Sequence, residues 1–226
     1  DVYKRQVYST ALVEAVKAFQ RNHLLKPDGV VGPGTLAELN RSASERMDQI
    51  RINLERLRWL SHEIEPTSVL IDVAGAEVVF LRDHAVTWQA RTQVGRPARP
   101  TPLLRSRITH LTLNPTWTIP PTILKEDKLP ELRRDAAGYL AANHMQVIDY
   151  DGNPVDPRGV DWERPGRVMI RQSAGAHSPL GKVAIRFPNP FSVYLHDTPS
   201  QRLFDNLPRL FSSGCVRIER VTELVD

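Results

Sequence analysis

The chain has 226 residues, 41% of them hydrophobic and 25% charged, with 30 Lys and Arg against 26 Asp and Glu. That composition belongs to a folded globular chain, long enough for one medium domain and a smaller module without disulfide or metal staples. A formal charge of +4, with bases scattered among acids, excludes the basic stripe of a duplex reader, so no nucleic-acid partner is expected; no apolar run reaches the roughly 18 residues of a membrane span.

One cysteine, Cys215, rules out an internal disulfide and a CxxC metal site. The chain opens on Asp1 and stops at Asp226 inside a helix-like pattern. It is therefore expected to be a fragment cut at both ends, in which a leader or membrane anchor is not visible.

Leu12, Val13, Val16 and Phe19 recur at helical spacing, Pro27-Asp28-Gly29 supplies a turn, and Pro33 begins a second short helix that directs Leu36 and Leu39 inward. Two such helices do not close a core. A third is expected upstream of Asp1 or in the residues before Thr10. Ser42 and Glu45 have capping-box spacing, and Met47, Ile50, Leu54, Leu57 and Leu60 follow at three- and four-residue steps. The pattern predicts a linker helix within 42–65, laying one apolar face on the next domain.

From Val69 the period falls to two. Residues 69–73 and 77–81 flank Ala74-Gly75 as a hairpin, and strands continue at 86–94 and 108–113. Leu129, Leu132, Tyr139 and Leu140 then restore a helical pattern, followed by turns through Asp151-Gly152-Asn153-Pro154. Strands resume at 168–172, 183–187 and 192–196. The predicted class is α+β: a small helical module (1–41), a linker helix (42–65) and a β-rich domain (66–226). A helical insertion at 121–165 has the length of a lid.

Cys215 follows Ser212-Ser213-Gly214 and stands nineteen residues after His196, at the end of a predicted strand. A thiol attacks a carbonyl as thiolate, so it needs an imidazole within reach, and the intervening loop is long enough to bring the two together. Gly214 permits a positive φ, which makes the main-chain N–H groups from Ser213 to Cys215 candidates for an oxyanion site. On pattern alone, an inert buried thiol and a structural histidine compete with this reading. Strand alternation puts Ser192, Tyr194 and His196 on one face, so Tyr194 either lines the same cleft or packs at the sheet edge. Asp197 points the other way, leaving a main-chain carbonyl as the expected partner that orients His196.

The run from Gly175 to Lys182 is not a phosphate loop. Five residues separate Gly175 from Gly181-Lys182, and Val183 stands where a hydroxyl would hold a metal ion. No zinc-type spacing surrounds His196 or Cys215, and no metal or cofactor is expected.

Val193-Tyr-Leu-His196-Asp-Thr-Pro199 and Phe211-Ser-Ser-Gly-Cys215-Val-Arg217 resemble the active-site signature of the L,D-transpeptidase (YkuD-type) catalytic domain. Val94-Gly95-Arg96, Thr101-Pro102, Asn114-Pro-Thr-Trp117 with Pro120, Ser178-Pro-Leu-Gly-Lys182 and Phe187-Pro-Asn189 extend the resemblance over roughly 66–226. Residues 10–40, through Ala18-Phe19-Gln20, Asp28-Gly29, Val31-Gly32 and Thr35-Leu36, are similar to a helical peptidoglycan-binding module. Together they look most like the large periplasmic enzymes of Gram-negative bacteria, whose capping insertion would here be 121–165.

The resemblance implies that Cys215 is the nucleophile on the diaminopimelate to D-Ala bond of a tetrapeptide stem, with His196 as its base. A diaminopimelate amine resolves the thioester to a 3→3 cross-link, or a lipoprotein lysine does so in anchoring relatives. It further implies peptidoglycan stem peptides and glycan as partners, carbapenem-type β-lactams as inhibitors, and the periplasm as the place of action. Arg217 suits a substrate carboxylate, against the plainer reading of a surface arginine. Tyr194 and Trp117 would line the cleft, although a core or interface role is open to Trp117 and Trp162. The chain departs from many relatives by carrying Ser213 where they have a second histidine and Arg217 where they have asparagine. Two other functions stay in view: a non-catalytic wall-binding scaffold, and an L,D-carboxypeptidase that gives the same thioester to water.

Overall fold

In a computed structural model, residues 8–226 are described and divide into two units: residues up to 89 with 204–209, and 90–203 with 210–226. The class is α+β, an N-terminal helical region followed by a β-rich part interrupted by a helical stretch.

In the first unit, Ser9 caps α1 (Thr10–Asn22) through its side chain, and Pro33 opens α2 (Pro33–Leu39), which follows the Asp28-Gly29 turn. The centre of this pair is polar. Gln20, 1% exposed, donates to Asp28 Oδ1 (3.1 Å), Val30 O (2.9 Å) and Thr35 Oγ1 (3.1 Å), and accepts from Gly29 N–H (2.8 Å). Leu36 and Leu39, expected inward, are about half exposed. The third helix expected before Thr10 lies outside the described residues.

The capping box forms as read: Ser42 Oγ accepts from Glu45 N–H and the Glu45 carboxylate accepts from Ser42 N–H, starting α3 (Ala43–Ser61). Its apolar stripe does not find the expected cover, since no residue of α3 is buried and Met47, Ile50, Leu54, Leu57 and Leu60 stay about half exposed. Strands β1 (Ser68–Asp72) and β2 (Glu77–Arg82) pair antiparallel, Ser68 opposite Leu81 through Asp72 opposite Glu77. Asp72 Oδ1 accepts the Ala74 and Gly75 N–H groups of the turn, and Arg209 holds the Gly75 and Ala76 carbonyls (3.0 Å each). The next strand, β3 (Ala85–Gly95), follows β2 and runs on into the second unit.

The second unit has a main sheet and a smaller one. Its elements are β4 (His110–Leu113), β5 (Trp117–Thr118), a helical stretch over 121–142, β6 (Met145–Ile148), β7 (Met169–Gln172), β8 (Val183–Arg186), β9 (Leu195–His196), β10 (Leu210–Ser212), β11 (Val216–Ile218) and α6 (Val221–Val225). The main sheet runs β3-β11-β9-β8-β4, with β10 parallel to the end of β3; β11 and β9 are parallel, the other neighbours antiparallel. Period-two alternation sorts its faces. Val94, Val216, Leu195 and Ile185 form a buried row, and the residues between them turn to the opposite face.

The helical stretch comprises α4 (Pro121–Ile123), a π-helical turn (Leu124–Lys128) and α5 (Leu129–Ala142) kinked at Asp135. The sequence pattern of 121–165 is helical and irregular, yet Met145–Ile148 forms a strand there. It pairs with β7, which pairs with β5, so a small sheet backs the helices. Ile119, Leu129, Leu132, Leu140, Val147 and Ile170 make its core, with Trp117 and Trp162 packed at the margin. Among the described residues no helix is long and apolar enough to cross a membrane.

Candidate active site

Two short parallel strands build the site. Register pairs Leu195 with Val216 and His196 with Arg217, so Tyr194 and Cys215 come side by side one step earlier, where the Val216 N–H donates to Tyr194 O (3.1 Å). Adding the neighbouring strands gives two rows on one face. The first is Arg186, Tyr194, Cys215; the second is Ala184, His196, Arg217, Gln93. His196 and Cys215 are thus diagonal neighbours on one face of adjacent parallel strands.

His196 is 3% exposed, and its Nδ1 lies against the main-chain carbonyl of Asp197. A carbonyl only accepts, so Nδ1 carries the proton and Nε2 keeps its lone pair. The carbonyl partner expected from strand alternation is the one found. The Asp197 carboxylate faces away, accepting the Lys182 N–H at 2.8 Å. Burial, with Arg217 second, depresses the His196 pKa to about 3, so the imidazole is neutral at pH 7. Burial also pushes the Cys215 thiol up, against the Tyr194 main-chain N–H and the guanidinium groups of Arg186 and Arg217, which favour the thiolate. Both groups therefore rest uncharged, and the Tyr194 N–H and the two guanidinium groups offset part of what burial costs a thiolate.

Tyr194 and His196 share the face as the alternation requires, their rings tilted with centroids 5.6 Å apart. The Tyr194 phenol is pushed up to about 12 chiefly by burial, with the nearby side chains of Arg186 and Trp117 acting the other way. Trp117 thus joins the core of the helical insertion to the Tyr194 row. Arg217 is not a surface arginine near a helix start. It lies on β11, its Nη1 donates to Gln93 Oε1 (3.2 Å), and its buried Nε has no partner.

The loop before Cys215 is held at three successive residues by 95–101. Arg96 N–H donates to Ser212 O (3.0 Å), Arg99 Nη1 to Ser213 Oγ (3.2 Å) and Thr101 Oγ1 to Gly214 O (2.9 Å). Gly214 has φ +114°, which an L side chain resists, and a Cβ on Gly95 would meet Arg99 O at 2.3 Å. The Gly214 N–H donates to Ser212 Oγ (3.1 Å), so it is occupied within the loop. Arg99, only 12% exposed, also reaches across to the π-helical turn: it chelates the Asp127 carboxylate (2.7 and 2.8 Å) and pairs with Glu126. Neither Arg186 nor this arginine bridge stands out in the sequence. Only pairing register and the return of the 121–142 stretch bring them to the site. Among the described residues no group of three or more His, Cys, Asp or Glu is placed to hold a metal ion.

Residues 66–226 match the family described as L,D-transpeptidase catalytic domain (YkuD), and residues 4–39 match the family described as "Putative peptidoglycan binding domain". A Haemophilus influenzae (strain ATCC 51907 / DSM 11121 / KW20 / Rd) protein named "Putative L,D-transpeptidase" is 33% identical over 179 residues, 78% of this chain and 36% of that protein. The chain therefore spans about a third of that relative's length. Two solved structures, the Ldtfm-avibactam carbamoyl enzyme and the E. faecium L,D-transpeptidase catalytic domain acylated by ertapenem, align at a TM-score of 0.39 with 14% and 16% identity. They cover 71% of this chain and 44% and 88% of their own, a likeness too distant to bear on the site. By the match over 66–226, the chain belongs to the L,D-transpeptidase (YkuD) catalytic-domain family.

Proposed function

We propose that the chain is a peptidoglycan L,D-transpeptidase in which Cys215 is the nucleophile and His196 its base, acting in the periplasm of a Gram-negative cell. The observation that carries this reading is the arrangement of one neutral imidazole, with Nδ1–H on the Asp197 carbonyl, diagonal to one thiol on the neighbouring strand.

His196 Nε2 takes the Cys215 proton as sulfur attacks the carbonyl carbon of the diaminopimelate to D-Ala bond. The oxyanion is met by main-chain N–H groups of Ser213 and Cys215, since that of Gly214 is occupied by Ser212. The intermediate collapses with cleavage of the C–N bond, the imidazolium returns its proton to the departing D-Ala amine, and a thioester remains. A diaminopimelate amine then attacks this thioester, His196 accepts its proton and passes it to the released sulfur, and a 3→3 cross-link forms. Arg217 offers a guanidinium to a donor carboxylate, Tyr194 and Trp117 wall the cleft, and 121–165 caps it, keeping water from the thioester. Residues 1–41 bind the glycan or stem peptides.

The test is mass spectrometry after exposure to ertapenem. One covalent adduct is expected, absent in Cys215→Ala; no adduct on an accessible thiol would leave a wall-binding scaffold. Incubation with sacculi then reads the acceptor: new 3→3 dimers support transpeptidation, whereas shortened monomers alone mark an L,D-carboxypeptidase.

A further inference from the structure

Two guanidinium groups on the Cys215 face lack an acidic partner. Several other arginines of the second unit are matched with acids, among them Arg91 with Glu219 (2.6 Å), Arg99 with Asp127 and Glu126, and Arg133 with Glu163 (3.1 Å). Among the described residues no carboxylate pairs with Arg186 or Arg217. Arg186 lies over the Tyr194 ring, its guanidinium carbon 3.9 Å from the centroid, and Arg217 meets the neutral Gln93 amide while its Nε is buried without a partner. The acid next to His196, Asp197, is turned to the other side of the sheet. Burying the Arg217 guanidinium, whose Nε is out of water, without a counter-charge is costly, and Arg186 beside it is only partly covered. A cationic face left open beside a thiol is therefore shaped for an anion that arrives with the substrate.

Register locates that anion. Cys215 lies beside Tyr194 and two positions before Arg217, so the two guanidinium groups flank the sulfur. If Cys215 acts on a peptide carbonyl, as proposed above and on which this inference rests, the residue after the scissile bond extends only about 3.8 Å further. When that residue is the last of the donor, its free carboxylate falls within reach of a guanidinium beside the sulfur.

We infer that Arg186, with Arg217 behind it, forms a carboxylate subsite that reads the free C-terminus of the donor peptide. Tyr194 is the platform that holds the Arg186 plane in place. The subsite makes the enzyme selective for donors whose scissile bond is the last peptide bond, because a further residue or a blocked terminus leaves both guanidinium groups unpaired.

The experiment compares a tetrapeptide stem ending in a free carboxylate with the same stem ending in a carboxamide, measuring release of the terminal residue. The full chain, Arg186→Gln and Arg186→Lys are assayed. The unsubstituted enzyme should favour the acid by roughly tenfold to a hundredfold in kcat/KM, the range of a charge-assisted hydrogen bond. Arg186→Gln should bring this preference to within about threefold, mainly through a higher KM for the acid; a fall in kcat shared by both donors reports the lost charge beside the sulfur, so the acid-to-carboxamide ratio is the readout. Arg186→Lys should restore part of the preference. Equal use of both donors by the unsubstituted enzyme, or an unchanged preference in Arg186→Gln, overturns the inference. Equal loss of both donors in Arg186→Gln, with the preference kept, also overturns it, because Arg186 then supports only the sulfur or the fold around Tyr194. No turnover of either donor and no ertapenem adduct on Cys215 removes the parent reading, and the subsite with it.

Discussion

His196 illustrates how one buried side chain ties chemistry to stability. Its imidazole is held neutral down to about 3, whereas in the unfolded chain it titrates at the ordinary value of 6.5. Between those values the unfolded chain binds the extra proton, so this contribution is complete above 6.5 and drains away as pH falls towards 3. The slope from this group approaches about 1.4 kcal/mol per pH unit. Urea unfolding from pH 7 to 4 should show it, and His196→Gln should flatten the curve by about that amount; an unaltered slope would mean that the ring protonates freely in the fold. The same depression removes any histidine inflection near pH 6.5 from ertapenem acylation, which should keep its rate as pH is lowered through that value.

Among the elements, the 95–101 loop has the most to hold. It grips Ser212, Ser213 and Gly214 on one side and, through Arg99, the carboxylates of the π-helical turn on the other. Arg99 depresses Asp127 below the usual carboxylate range, chiefly through the hydrogen bonds between them, so the pair stays ionised at neutral pH. Asp127 keeps a third of its side-chain surface in water, which trims the value of the bridge to about 1–2 kcal/mol. A double-mutant cycle of Arg99→Ala and Asp127→Ala on stability should return a coupling of that size. Arg99→Ala alone should also slow ertapenem acylation, because Ser213 loses its tether before the sulfur. Strict additivity, with acylation unchanged, would show the insertion and the cysteine loop to be independent.

Across the whole molecule, cores are unevenly distributed. The main sheet and the insertion bury continuous apolar sets, whereas α3 buries nothing over 19 residues. A helix without tertiary cover has only local stability and opens readily. Brief trypsin treatment should therefore cut first at Arg46, Arg51, Arg56 or Arg58, and mass spectrometry of the earliest fragments would identify these ends. Early cuts at Arg91 or Arg217 instead would place the weak point in the sheet.

How much of this was legible beforehand follows from the range of each interaction. The capping box at Ser42, the hairpin around Gly75, the two faces of the strand ending at His196 and the carbonyl that orients its ring are decided by neighbours a few residues apart. The sequence by itself therefore determined them, and its ordered motifs also determined the family. Exposure was less accessible: the stripes through Leu36 and along α3 have helical spacing, but spacing states which residues share a side and not whether anything covers it. Strand 192–196 contracts to Leu195–His196 because Ser192 takes φ +55°, and Asn189 bonds the loop around it. Strand Met145–Ile148 was hidden because four residues between turns have too little period to read. Only the tertiary structure decided that Arg186, Arg217 and Cys215 share one face, and that Arg99 links Ser213 to Asp127. These contacts join segments tens of residues apart, where strand register and chain return, not local preference, determine which charges meet.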